Sequence, residues 1–234
     1  RSAENDQASR RRVSRRHTQL LAALLGFHLA APAVQMLAPK LTLILLLPLY
    51  VIVLAAATMV MSSSRSRSII ATLAAPMIAA AIASAAAVER APLIISASTL
   101  PFLAYAAAVV LWSVLKPGVI DQTRLLGSAS VFILAAQAWA SAYAGLELLA
   151  PGTFAPPADR PVAPGDLTYF SFTTQTTLGY GDVTPQSPIA RAAATLQATA
   201  GLFYMGVIVA RFAGRLRIAG TTHTQTTSPN RDSN

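Results

Sequence analysis

Residues 173–188 read "TTQTTLGYGDVTPQSP" and lie between two apolar stretches. Four of the first five positions are threonine, and Gly179, Gly181 and Pro185 work against a continuous helix. In hydrocarbon, an unpaired peptide group is too costly to leave exposed. Irregular backbone at membrane depth is therefore found only where it is buried in protein or lines a wet cavity. If the flanking runs cross a membrane, this stretch must face water or an ion.

The composition supports the membrane premise. The chain has 234 residues, 54% of them hydrophobic and 12% charged, against about 25% charged in a typical soluble domain. Its mean hydropathy is +0.52. It has no cysteine, which removes disulfides, thiolate metal sites and a cysteine nucleophile. The net charge of +9 raises nucleic-acid binding as a class, but the cations sit between apolar runs rather than along one surface. No nucleic-acid partner is expected.

A helix needs about 20 mostly apolar residues to cross the hydrocarbon core. Six segments meet that length: Leu20–Leu37, Leu41–Met61, Ile69–Val88, Leu93–Leu115, Leu125–Leu149 and Ile189–Phe212. The expected fold class is an all-α membrane protein with six transmembrane helices. The expected divisions are a basic arm over 1–19, a four-helix membrane domain over 20–118, a second membrane domain over 119–214 and a short tail over 215–234. The first segment has a second reading. Arg10, Arg11, Arg12, Arg15 and Arg16, an apolar run and "APA" at 31–33 also resemble a secretory signal.

Lysine and arginine placement sets the orientation. With the N-terminus inside, six spans leave fourteen cations inside and four outside: Lys40, Arg90, Arg160 and Arg191. Both termini are therefore expected to be cytoplasmic, with the basic arms in reach of anionic lipid.

Between the fifth and sixth spans, a Pro- and Gly-rich loop precedes "DLTYFSFTTQT" at 166–176. Asp166 reads as an N-cap or first-turn acid. The expected helix is about 16 Å long, too short to span, so it must enter and return. After it, Thr177, Leu178, Gly179, Tyr180 and Gly181 can hold an extended backbone with carbonyls aligned. Glycine at 179 and 181 allows φ values that a Cβ disfavours. Leu178 and Tyr180 are expected to turn their side chains away from the axis, onto the short helix. Carbonyl oxygens suit alkali cations, and the negative end of the helix dipole adds to the attraction.

"TTLGYGD" resembles the signature of potassium channels, whose filter loop reads TVGYG. From about Leu125 to Phe212 the chain is similar to that family's pore module of outer helix, re-entrant pore helix, filter and inner helix. The resemblance implies K⁺ held at Thr177, Leu178, Gly179 and Tyr180, a homotetramer around one axis, and no cofactor, potassium being the permeant ligand. It implies filter support from Asp182, Thr173, Thr174, Tyr169 and Phe170, and an inner-helix hinge at Gly201 or Gly206. Gly206, Ala210 and Gly214 form a small-residue stripe read as packing or gating, and Thr195 and Thr199 are read as wetting the cavity. The implied setting is a bacterial inner membrane. Three departures stand out. Leu178 replaces the common Val, Tyr169 and Phe170 replace a frequent tryptophan pair, and Thr173 stands where some members carry a carboxylate.

Other chemistries fit less well. "GYGD" also resembles the G-x-G-D motif of intramembrane aspartyl proteases, which need a second, facing aspartate. Asp121, Asp159 and Asp166 all read as loop or helix-end residues. No HExxH or GxSxG occurs, and His17, His28 and His223 are scattered, so no enzyme is expected. His28 reads as a packed residue. A transporter would show broken helices in both halves, and only one interruption is evident. A weakly selective cation channel remains the nearest alternative. The fourth span has no arginine, so S4-type voltage sensing is not expected. Glu89 and Arg90 are the charges at the outer edge of the four-helix region, and the end of the tail reads as disordered.

Overall fold

The computed structural model describes residues 2–37, 53, 56, 64–85, 91–116, 122–156 and 160–223. They form six helices and one short strand pair: α1 Ser2–Leu37, α2 Ser64–Ala85, α3 Ala91–Leu115, α4 Gln122–Leu149, β1 Phe154–Ala155, α5 Pro164–Gln175, β2 Thr184–Pro185 and α6 Pro188–His223.

Among the described residues, four stretches are long and apolar enough to cross a membrane: Val13–Val34, Ala91–Leu115, Thr123–Leu149 and Pro188–Ala213. They correspond to the first, fourth, fifth and sixth expected spans. The expected third span is helical in α2 but is not one of the four. Pro76 lies inside it. The expected second span lies outside the described residues apart from Val53 and Ala56.

Two helices run beyond the apolar stretches. α1 is helical from Ser2 through the arginines into the apolar stretch, and α6 continues to His223. Both extensions follow from helix cooperativity, which favours propagation until a breaker intervenes. The chain is also not purely helical. β1 pairs antiparallel with β2, Phe154 opposite Pro185 and Ala155 opposite Thr184.

One apolar core joins α1, α3 and α4 through Leu20, Leu24, Phe102, Leu103, Val110 and Leu134, with Ile208 of α6 at its edge. Three cationic residues meet at one end of this bundle. Arg211 donates to the carbonyls of Leu115 and Lys116, and Arg124 Nη1 donates to Lys116 at 2.8 Å. Cations there complement the negative C-terminal end of α3. A second core at the opposite end packs Tyr143, Phe154, Leu167, Phe170, Val183 and Ala190. The rings of Tyr143, Phe154 and Phe170 lie 5.2–5.4 Å apart in edge-on pairs, the arrangement that aromatic quadrupoles favour.

Candidate functional site

The insert between α4 and α6 is closed at its base. The β1–β2 pair links the two ends. The Glu147 carboxylate, at the end of α4, accepts the N–H groups of Gly152 at 2.8 Å and Phe154 at 2.9 Å. The Thr153 carbonyl accepts those of Gln186 at 2.8 Å and Ser187 at 3.4 Å.

Inside this closure, α5 has 12 residues, about 18 Å at 1.5 Å per residue. Its N-cap is Ala163, with Pro164 in the first turn, where the missing proline N–H is no loss. Asp166 is therefore the first-turn acid and not the N-cap. Its carboxylate accepts the Ala163 N–H at 2.8 Å and a bidentate pair from Arg160 at 2.7 and 2.8 Å. The hydrogen bond from Arg160 holds the Asp166 carboxyl below its ordinary pKa. Partial desolvation opposes this, and the Ala163 N–H and the Arg160 charge add to it.

Beyond α5 the backbone changes character. Thr177, Gly179 and Gly181 have φ of 57°, 47° and 78°, and no other non-glycine among the described residues has positive φ. The sign of φ thus alternates from 177 to 181. Alternation between right- and left-handed backbone turns successive peptide groups to the same side, which aligns N–H groups on one face and carbonyls on the other. The glycines take this conformation freely. Thr177 does so at a cost of order 1–2 kcal/mol, which was not foreseen from sequence.

The row is anchored on its N–H side. The Thr173 carbonyl accepts both the Leu178 N–H at 2.8 Å and the Gly179 N–H at 3.2 Å, and the Thr174 carbonyl accepts that of Thr177 at 3.0 Å. Among the described residues, no hydrogen bond ends on the carbonyls of Thr177, Leu178, Gly179, Tyr180 or Gly181. Backbone carbonyls are obligatory acceptors, so five in succession are left for water, an ion or another chain.

The expected support residues have distinct positions. Tyr169 stacks on Tyr180, ring centroids 6.4 Å apart and planes 2° from parallel, and its phenol also feels the Asp182 carboxylate. Asp182 Oδ1 accepts the Val183 N–H at 3.0 Å. Phe170 is buried among Tyr143 and Phe154, behind α5. Thr173 is buried, and its hydroxyl donates to the Phe170 carbonyl at 3.0 Å. Tyr180 therefore contacts α5 as expected. Leu178 is 55% exposed in the single chain.

A Cβ on Gly201 would stand 2.4 Å from the Gln175 carbonyl oxygen, so Gly201 seats the end of α5 against α6. Gly206 has nothing within 4 Å of a Cβ position, and Ala210 is exposed. Gly206 therefore makes no close helix contact within the single chain. Thr195 and Thr199 are exposed, each hydroxyl bonded to the carbonyl four residues back.

A buried polar network behind α5 escaped the sequence reading. Gln197 Oε1 accepts the Tyr143 hydroxyl at 2.6 Å, and its Nε2 lies 2.8–3.3 Å from Ser171 O, Ser171 Oγ and Gln175 Oε1. Ser171 Oγ donates to the Ala136 carbonyl at 2.6 Å, and Gln175 Nε2 to that of Phe132 at 2.7 Å. The signal was available: an amide within an apolar span is costly to bury unless it is bonded. His28 is packed as expected. Its Nδ1 lies 2.8 Å from the Leu24 carbonyl, its Nε2 lies 3.1 Å from Gln137 Oε1, and its ring meets Phe172 of α5 edge-on at 4.8 Å. Lys40, Glu89, Arg90, Asp121 and Asp159 lie outside the described residues.

Comparison with known proteins agrees with this part of the chain. The sequence model of a family described as "Ion channel" matches residues 131–217, from within α4 to within α6. Nothing matched among curated proteins or among solved structures.

Proposed function

We propose that this protein is a passive potassium-selective channel, with ions held by the backbone carbonyls of Thr177, Leu178, Gly179 and Tyr180 and the row completed by Gly181. The observation that carries this reading is the run of five uncommitted carbonyls on a backbone of alternating φ. Such a row replaces a cation's hydration shell without any charged side chain. The C-terminal end of α5 points its partial negative charge at the start of the row. The ion-channel match over residues 131–217 supports the same assignment.

One chain supplies one row, and a cage needs several, so the conducting unit is a homotetramer closed about the row. Leu202, Phe203, Val207 and Val209 are exposed on α6 in the single chain. That apolar surface suits neighbouring copies and lipid. In this reading α5 is re-entrant, entering from the side closed by β1–β2. Arg211, Arg124 and Lys116 then meet at the cytoplasmic end, and the arginines of α1 lie near anionic headgroups.

Bilayer recording of the purified protein under opposed K⁺ and Na⁺ gradients tests the reading. The reversal potential should follow the K⁺ gradient. A reversal potential that tracks Na⁺ equally refutes selectivity and leaves a weakly selective cation channel. Mass measurement in detergent should give four chains, and a conducting monomer or dimer would refute the assembly.

A further inference from the structure

We infer that Gln197 is a positioning residue for the conducting backbone: from α6 it fixes the depth and rotation of α5, and so the register of the carbonyl row that α5 carries. The inference rests on the proposed potassium selectivity and names a determinant of it.

Gln197 is 0% exposed in the middle of an apolar helix. All of its polar capacity is turned to neighbours. The carbonyl side takes the hydroxyl of Tyr143 on α4, and the amide side points at Ser171 and Gln175 on α5. Ser171 and Gln175 then bond onward to carbonyls of Ala136 and Phe132 on α4. One side chain thus joins the three helices around the insert.

The placement along α5 matters more than the number of bonds. Gln175 is the last residue of α5, two positions before Thr177. Gly201 lies one turn beyond Gln197 on α6, and its missing Cβ admits the Gln175 carbonyl. Gln197 and Gly201 therefore form a single socket for the last turn of α5, one by hydrogen bonds and the other by close approach. The same turn of backbone holds the Thr173 and Thr174 carbonyls that anchor Thr177, Leu178 and Gly179. A change in the socket moves those anchors, and the carbonyls move with them. Gln197 touches no ion. It acts through α5.

A role confined to stability would lower yield or melting temperature and leave ion preference in the assembled protein unchanged. The K⁺/Na⁺ permeability ratio of the full-length tetramer separates the two roles. Gln197→Leu keeps the size and removes every bond, and should lower the ratio by about tenfold, the equivalent of one well-made hydrogen bond lost from the selective state. Gln197→Glu, whose buried carboxyl stays protonated, keeps one donor and one acceptor and should restore most of the ratio. A Gln197→Leu tetramer with the parent's ratio overturns the inference. If Gln197→Leu does not assemble, Ser171→Ala and Tyr143→Phe carry the test, each removing one hydroxyl. A lowered ratio in both supports the inference, and the parent's ratio in either overturns it. A parent protein that fails to discriminate K⁺ from Na⁺ refutes the functional reading itself, and is recorded first so that the two failures are distinct.

Discussion

Replacing Gly201 with alanine should destabilise the packing of α5 on α6 while the same change at Gly145 does not. At Gly201 the new methyl would stand 2.4 Å from the Gln175 carbonyl oxygen, 3.0 Å from its Cγ and 3.2 Å from its carbonyl carbon. The nearest atom is backbone at the end of α5 and cannot swing aside, so the helices must part. Overpacking of this kind costs about 1–3 kcal/mol, and a backbone clash belongs at the upper end. Against this, alanine gains about 1 kcal/mol over glycine in a helix interior. The net loss is about 2 kcal/mol per chain, or about 4–8 °C in melting temperature for a chain of this size. At Gly145 a Cβ meets nothing within 4 Å, so only the helix gain of about 0.5–1 kcal/mol remains. Thermal melts of both variants in the same nanodiscs give the comparison. Gly201→Ala melting at or above Gly145→Ala would show that α6 does not seat α5 at this point.

Three further outcomes are expected. Gly179→Asp should abolish selective conduction, because φ of 47° at that position is strained for a side chain and the new charge stands beside the row; unchanged currents would refute the row. Asp166 has a depressed folded-state pKa, so its contribution is fully present above the ordinary carboxylate value and is lost as pH falls through the folded value. Melting temperature should drop below about pH 4, and Arg160→Gln should make that drop smaller; an identical acid profile in both proteins would count against the pair. Open probability should vary shallowly with voltage, since α3 carries no charged residue from Ala91 to Leu115 and steep sensing moves several charges per subunit, each worth about 2.3 kcal/mol per 100 mV. Steep activation would refute that account.

The features legible in the sequence were those fixed by local chemistry. Glycine at 179 and 181 announced positive φ, and the length of α5 followed from Pro164 and Asp166 at one end and the TTLGYG backbone at the other. The closed base of the insert was not legible. Two-residue strands have no periodicity to read, and the Glu147 grip on Gly152 and Phe154 depends on a turn whose geometry comes from the fold. Gly201 was legible as a special glycine but not as a contact, because its partner is 26 residues away in sequence. Gln197 is the instructive omission. A lone amide in an apolar span pointed to buried partners, but only the packed helices identify them as Tyr143, Ser171 and Gln175.

The two forked carbonyls at the ends of the segment from Leu178 to Ser187 have a consequence for how it breathes. Thr173 holds Leu178 and Gly179, and Thr153 holds Gln186 and Ser187. Each fork ties two neighbouring amides to one acceptor, so a single opening event frees both. In hydrogen exchange the amides should behave as two linked pairs, each with one protection factor. The stretch between them is slung like a hammock from two hooks. Its middle can sag and recover while both ends keep their place.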